Sequence, residues 1–228
     1  MNLRKIPVLV CAGRTLMCCL AAVAPAHAAN LVINGSFEDF YSSGAGVTAL
    51  PGWTVSTGNI DLGPFGPSTP DGLNAIDLTG SFGQGAGTIY QDLPTLTGAV
   101  YSLSFYFGAN PQWQYFGYAN DGSVKSLKVL VDSVELGVFS KDTTGWAIGY
   151  FGWEKLDLSF TATSDSTRLS FQSLNGANGT VFGPFLDAVD VTPSGLNPSP
   201  VPTPGTLGLL AAGVAALGLV RRRGAARR

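Results

Sequence analysis

The middle of the chain reads Tyr101-Ser102-Leu103-Ser104-Phe105-Tyr106-Phe107, so every second residue is strongly apolar. Successive side chains of a β-strand point to opposite faces, and this period of two predicts a strand with one buried face. The same alternation recurs in residues 155–160, where Leu156, Leu158 and Phe160 are the apolar members, and in residues 168–172. Three half-buried strands are therefore predicted from pattern alone.

Turn-forming pairs separate the alternating stretches: Asp71-Gly72, Asp121-Gly122 and Asn175-Gly176. Between residues 29 and 200, no stretch long enough for a stable helix is free of glycine or proline and also has a helical period. Many short strands joined by turns are typical of a β-sandwich. The predicted fold is all-β, a jelly-roll β-sandwich, with an N-terminal signal peptide and a short C-terminal hydrophobic helix on either side.

The first 28 residues have the pattern of a secretory signal peptide. A basic stretch is followed by an apolar run over residues 16–24 and then by Ala26-His27-Ala28, a small-x-small cleavage pattern. We expect export by the Sec machinery and cleavage by signal peptidase after Ala28. The alternative, a transmembrane helix, is disfavoured because the apolar run is shorter than the roughly 20 residues that a bilayer requires.

Cleavage at this position removes every cysteine and the one histidine, which are Cys11, Cys18, Cys19 and His27. Thiol catalysis, a histidine-assisted serine triad and histidine-ligated zinc are then excluded from the mature chain. A pair of carboxylates, as in glycosidases, remains the one catalytic arrangement available. No two carboxylates are marked by the sequence as converging, and we expect the protein not to be an enzyme.

The predicted domain is strongly acidic. All 15 acidic residues lie between residues 29 and 200, against five basic residues, Lys125, Lys128, Lys141, Lys155 and Arg168. An acidic surface repels phosphate backbones, which excludes nucleic acid as a partner. Acidity in an exported protein suits calcium, which takes oxygen ligands, and it serves solubility equally well.

The C-terminal end differs from the domain in composition. Residues 193–200 form a proline-rich linker, residues 207–220 are apolar or glycine, and arginines follow at once. A short apolar helix stopped by arginines is expected to sit in a membrane with the arginines in the cytoplasm. At 14 residues it is marginal for a permanent span, so the tether is expected to be transient.

This tail resembles a PEP-CTERM sorting signal. The residues that carry the resemblance are Val201, Pro202, Thr203 and Pro204, then the apolar helix, then Arg221, Arg222 and Arg223. Thr203 departs from the usual glutamate of the motif. The resemblance implies that residues 201–228 are read by an exosortase-like protease in a bacterium that makes exopolysaccharide. An ordinary tail anchor is the alternative.

Residues 29–192 resemble the choice-of-anchor C domain, a relative of galactose-binding-like jelly rolls. The resemblance rests on ordered blocks: the opening 30–38, then 52–55, 71–78, 108–111 and 152–153, and the closing 183–191. It implies that the first and last strands lie side by side and that a carboxylate from each, Glu38 and Asp187, shares a structural calcium. The alternative is that both carboxylates are solvated or cap a turn. The resemblance implies no enzymatic activity.

Aromatic residues supply the candidate glycan site, because sugar rings stack on aromatic faces between polar neighbours. The segment 110–120 places four of them among glutamines and asparagines in a predicted loop, and a second glycine-flanked stretch adds Trp146 and Tyr150. The predicted stacking residues are Trp113, Tyr115, Phe116, Tyr118 and Trp146. Trp53 and Trp153 are expected in the core.

The function predicted from the sequence is that of an exported, non-catalytic protein of the cell surface or extracellular matrix. It is expected to associate with exopolysaccharide in a biofilm and to bind carbohydrate, after being tethered at the inner membrane during processing. Two alternatives remain open: a purely structural surface protein without a specific ligand, and a glycan-active hydrolase.

Overall fold

The computed structural model describes residues 29–65, 69–81, 85–117, 122–176 and 181–194, except for the side chain of Trp113. The predicted signal peptide, residues 195–200 of the linker and the whole sorting tail lie outside the described residues. Within those residues, no helix is long and apolar enough to cross a membrane. The helical element described there is a three-residue 3-10 turn, Gln112–Gln114.

Two six-stranded antiparallel sheets make up the domain. The first has the order β1-β4-β5-β12-β7-β10 and the second the order β2-β3-β6-β11-β8-β9. The strands of the first sheet are β1 (Gly44–Val47), β4 (Ile60–Gly63), β5 (Ala75–Asp77), β12 (Pro184–Pro193), β7 (Val100–Ala109) and β10 (Glu154–Thr161). The strands of the second are β2 (Ala49–Leu50), β3 (Trp53–Thr57), β6 (Thr88–Pro94), β11 (Ser166–Ser173), β8 (Val124–Val131) and β9 (Val134–Asp142). The predicted all-β jelly-roll sandwich is confirmed.

The core lies between the two sheets and is built from the alternating residues. Leu103 and Phe105 of β7 are fully buried, as are Leu169 and Phe171 of β11 in the opposite sheet. The rings of Phe105 and Phe171 meet edge to face, with centroids 5.2 Å apart, so they join the sheets directly. The predicted strands over 101–107, 155–160 and 168–172 correspond to β7, β10 and β11.

The N-terminal segment, residues 29–43, runs beside β12 without forming a regular strand. The Leu31 amide donates to the Val191 carbonyl at 2.8 Å, and the Val189 amide donates to the Gly35 carbonyl at 2.9 Å. The ladder is interrupted because Phe37, with φ of 57°, has a left-handed backbone. The chain turns there and buries the Phe37 ring completely. The first and last segments are therefore neighbours, as the family resemblance implied.

Long connections gather at one end of the sandwich, which we call the loop end. It holds the connections that follow β5, β7 and β9, as well as the residues that precede β12. The opposite end has tight connections such as Asp132-Ser133 between β8 and β9. Side chains at the loop end are therefore the ones free to vary without disturbing the core.

Candidate functional site

A buried carboxylate ties the loop end together. Asp77 ends β5 and is only 1% exposed. Its Oδ2 accepts a hydrogen bond from Asn110 Nδ2 at 3.0 Å, and its Oδ1 accepts from the amides of Thr79 at 2.9 Å and Gly183 at 3.1 Å. These three donors come from three different connections, so one side chain fixes the loops relative to one another.

The Asn110 side chain links Asp77 to the loop that follows β7. Its Oδ1 accepts from the Gln112 amide at 3.0 Å, at the start of the 3-10 turn. Gln114 then joins this loop to the loop between β9 and β10. Its Nε2 donates to the Thr143 carbonyl at 2.8 Å, and its Oε1 accepts from the Gly145 amide at 3.0 Å. Two loops far apart in sequence are held as one unit.

Three aromatic residues meet on this unit: Tyr115, Trp146 and Tyr150, which we call the loop-end aromatic cluster. The Tyr115 hydroxyl donates to the Trp146 carbonyl at 2.9 Å, and the rings of Trp146 and Tyr150 have centroids 5.0 Å apart. Within the cluster, Tyr115 is 52% exposed and Tyr150 58%. Phe116 beside them in the chain is 59% exposed, with its ring centroid 6.2 Å from that of Phe182. Exposed aromatic rings grouped in this way are uncommon on a soluble surface unless they bind something.

The Trp146 ring packs directly against Gly152, a position where the structure has no room for a side chain. A Cβ on Gly152 would lie 2.4 Å from the indole ring, and Gly152 has a φ of 55°. Any other residue there would displace the ring and strain the backbone. The indole is half-buried as a result, with part of its surface open beside Tyr150.

The structure brings together two of the predicted stacking residues, Tyr115 and Trp146, and adds Tyr150 to them. Phe116 follows Tyr115 in the chain, but its ring contacts Phe182. Tyr118 and the side chain of Trp113 lie outside the described residues. Trp53 is buried in the core as expected. Trp153 is half-buried and stacks on Phe185 on the outer face of the first sheet, so it packs outside the main core.

The Asp77 network predicts an unusual dependence of stability on pH. Burial raises the pKa of Asp77 to about 7, and the nearby charge of Asp61 adds to this effect. The hydrogen bonds from Asn110, Thr79 and Gly183 act to lower the pKa, but burial outweighs them. The folded state therefore holds a proton that the unfolded chain releases near pH 4. Its stabilising contribution is complete below about pH 4 and is lost as the pH rises through about 7.

We expect the free energy of unfolding to fall by about 1–2 kcal/mol between about pH 5 and about pH 7 through this group. Asp77→Asn should make that part of the profile shallower, as measured by urea unfolding at a series of pH values. The slope that remains is the contribution of Asp187, whose pKa burial also raises to about 7. Asp165→Asn, on the surface, is the matched control and should keep the wild-type slope. An Asp77→Asn profile with the same slope as wild type would contradict the assignment.

A separate cleft lies on the outer face of the first sheet and has a volume of about 710 Å³. Its floor is formed by Ser104 and Tyr106 of β7, Lys155 of β10 and Asp190 of β12. The N-terminal segment forms a wall. The sequence analysis did not identify this cleft, because the alternation over residues 101–107 only places Tyr106 on the outward face of the strand. That position was itself the signal, since an outward-facing tyrosine in a central strand is available to a ligand.

Glu38 and Asp187, the predicted calcium ligands, are linked through the turn at residues 71–74. Glu38 Oε1 accepts from the amides of Leu73 at 2.6 Å and Asn74 at 2.7 Å, while Oε2 accepts from Asn74 Nδ2 at 2.7 Å. Asp187 accepts from the amides of Asp71 at 3.0 Å and Ala188 at 2.7 Å. All four carboxylate oxygens therefore have N–H donors.

These contacts act on the two carboxylates in opposite directions. Burial acts to raise the pKa of Glu38, but its three donors outweigh burial and hold the pKa below its usual value. Burial raises the pKa of Asp187 to about 7, and the nearby charges of Asp71 and Glu38 add to this effect. In the described part of the chain, no three acidic or other metal-ligating side chains are grouped to hold a metal ion. The contacts match the turn-capping alternative, and calcium stays a prediction.

Comparison with known proteins identifies the family to which this chain is similar. The profile of the family described as "Protein of unknown function (DUF642)" matches residues 30–192. Halomucin from Haloquadratum walsbyi is 30% identical over 176 residues, which are 72% of this chain and 2% of halomucin. This chain therefore spans a small fraction of that relative's length.

Two solved structures are similar in part. A family 4 carbohydrate-binding module has a TM-score of 0.43 and 16% identity, over 72% of this chain and 99% of that one. A family 61 module in complex with β-1,4-galactotriose has a TM-score of 0.47 and 18% identity, over 73% of this chain and 99% of that one. The match over residues 30–192 covers most of the chain, and the chain belongs to the DUF642 family.

Proposed function

We propose that the protein is an exported, non-catalytic carbohydrate-binding protein of the cell surface or extracellular matrix. The observation that carries the proposal is the loop-end aromatic cluster, in which two loops present exposed rings side by side. Because Gln114 and the Asp77 network fix these loops, little conformational entropy is lost when a ligand binds.

The chemistry of the cluster suits a sugar. The C–H-rich face of a pyranose packs on an aromatic ring, while tyrosine hydroxyls and nearby amide groups can hydrogen-bond its hydroxyls. The acidic balance of the domain, five basic against 15 acidic residues, repels uronate and sulfate groups. A neutral polysaccharide is therefore the favoured ligand class, and association with a biofilm exopolysaccharide follows if that polymer is neutral.

The location rests on the two ends of the chain. The signal peptide pattern supports export through the Sec pathway, and the PEP-CTERM-like tail supports brief tethering at the inner membrane and processing by an exosortase-like protease. We propose that the sandwich then reaches the cell surface or the matrix. A structural calcium at Glu38 and Asp187 belongs to the same proposal and is tested by chelation.

The proposal predicts that Trp146→Ala and Tyr150→Ala each weaken glycan binding by about tenfold, which corresponds to about 1.4 kcal/mol. The reason is that each removes a ring on which a sugar stacks. Isothermal titration with cellopentaose, xylopentaose and β-1,4-linked galactopentaose gives the affinities. Tyr41→Ala is the matched control, because Tyr41 is 77% exposed but lies outside the cluster.

Two results would count against the proposal. Wild-type affinity in both Trp146→Ala and Tyr150→Ala would mean that the cluster binds no sugar. Absence of binding by the wild-type chain to neutral glycans of every linkage tested would favour the alternative of a structural surface protein without a ligand.

A further inference from the structure

The cleft on the outer face of the first sheet has a floor of outward-facing side chains from three adjacent strands. Tyr106 lies opposite Lys155 of β10, and Ser104 lies opposite Asp190 of β12. A β-bulge lies between Asp187 and Asp190, where Ala188 has a φ of 50°, and it shifts the register of β12 against β7. Bulges of this kind often redirect side chains beside binding sites.

The wall of the cleft is preorganised. Asn34 Nδ2 donates to the carbonyls of Asp39 at 2.7 Å and Pro51 at 3.0 Å, while its Oδ1 accepts from the Asp39 amide at 3.0 Å. Asn30 Oδ1 accepts from the Val191 amide at 2.9 Å. The side chains of Asn34 and Asn30 are thus used to hold the shape of the wall.

The floor differs, because its polar groups remain available. Among the described residues, none donates to or accepts from the side chains of Ser104, Tyr106 or Asp190, and all three are half-buried. The ammonium group of Lys155 is 3.6 Å from an Asp157 carboxylate oxygen at the open edge. Hydroxyl, carboxylate and ammonium groups around one aromatic ring can satisfy the many hydroxyls of a sugar, and about 710 Å³ is a typical size for a small-molecule site.

The cleft is separate from the loop-end aromatic cluster. Gly108 is the next residue after Tyr106 on the outer face of β7. The Trp153 ring lies over Gly108, 2.8 Å from the position that a Cβ on Gly108 would take. That ring also stacks on Phe185, with centroids 5.9 Å apart. Trp153 and Phe185 therefore fill the face between the cleft and the loops.

We propose that this cleft is a second glycan-binding site, for a neutral hydroxyl-rich sugar chain that packs on Tyr106. With sites on the sheet face and at the loop end, one molecule binds two polysaccharide chains, or two segments of one, and cross-links the polymer. Two modest sites on a rigid body give an avidity well above that of either alone. The cross-linking part rests on the proposed function of the loop-end cluster, whereas the cleft stands on its own geometry.

Titration of the full chain with the same three pentasaccharides tests this. We expect two sites per protein molecule. Tyr106→Ala should leave one site, and Trp146→Ala should leave the other. Tyr90→Ala is the matched control, since Tyr90 also faces outward from a central strand, but in the second sheet and beneath Arg168. Asp190→Asn, which changes little in shape, should weaken the cleft site severalfold and guards against misfolding of Tyr106→Ala.

The outcomes separate the two proposals. A single site that Trp146→Ala removes and that neither Tyr106→Ala nor Asp190→Asn affects would overturn the cleft while leaving the loop-end cluster. A single site that Tyr106→Ala removes and that Trp146→Ala leaves intact would support the cleft and overturn the loop-end cluster. No binding to any of the three sugars would overturn the cleft as a site for these chains.

Discussion

Replacing Phe105 by alanine is expected to lower the free energy of unfolding by about 3–5 kcal/mol. Phe105 is fully buried, and its ring meets Phe171 at 5.2 Å and Phe139 at 6.0 Å, both at edge geometry. Those partners belong to β11 and β9 of the opposite sheet. The substitution removes the ring that joins the two layers and leaves a cavity that the surrounding strands cannot close.

Equilibrium unfolding in urea measures this loss. Phe40→Ala is the matched control, because Phe40 is 43% exposed, and its stability should stay within about 0.5 kcal/mol of wild type. A loss of similar size in both variants would contradict the position of Phe105 at the centre of the sandwich.

Replacing Gly35 by alanine is expected to lower the free energy of unfolding by about 2–3 kcal/mol. We also expect it to open the cleft on the outer face of the first sheet. A Cβ on Gly35 would lie 2.0 Å from the Val189 carbonyl oxygen, a backbone atom that cannot swing aside. Either β12 or the N-terminal segment must move, and the hydrogen bond from the Val189 amide to the Gly35 carbonyl would be strained. The wall of the cleft depends on that contact.

Hydrogen exchange at the Val189 and Leu31 amides reports the local opening, and urea unfolding reports the stability. Gly63→Ala is the matched control, because a Cβ there meets nothing within 4 Å. Retained protection at both amides in Gly35→Ala would contradict the close packing of the N-terminal segment on β12.

The strands were predictable because their signal is local. The alternation over 101–107 specifies which residues of β7 face inward, and burial follows that pattern residue by residue. Trp53 and Trp153 were expected in the core because aromatic residues usually fill the interior of a sandwich. The expectation is confirmed for Trp53 but is wrong for Trp153, which packs on Phe185 outside the main core. The fold class needed no long-range information, since period-two stretches between turns suit few other architectures.

The N-terminal segment shows what the pattern could not reveal. Residues 30–38 look like an opening strand, but Asn34 and Phe37 adopt left-handed conformations that no alternation encodes. Their conformation is fixed by contacts remote in sequence, such as the hydrogen bond from the Trp53 indole to the Asn34 carbonyl at 3.0 Å. The segment packs beside β12, yet it does so as an irregular wall.

The loop-end cluster was partly foreseeable. Aromatic residues among glutamines and glycines identified Tyr115 and Trp146 one loop at a time. That the two loops form one surface depends on Gln114 reaching Thr143, a contact across 29 positions of sequence. The cleft was not foreseen, because the register of β7 and β12, which sets Asp190 opposite Ser104, brings residues remote in sequence to the same cleft.

A glycan-array screen of the full chain tests the central claim most directly, with the wild type and the Trp146→Ala, Tyr150→Ala double variant compared in calcium and in a chelator. We predict that the wild type binds neutral glycans and that the double variant loses the strongest of these signals. If the predicted calcium is structural, the wild-type signals also weaken in chelator. Identical array patterns for the two proteins, or no wild-type signal in either buffer, would contradict a glycan-binding role for the loop-end aromatic cluster.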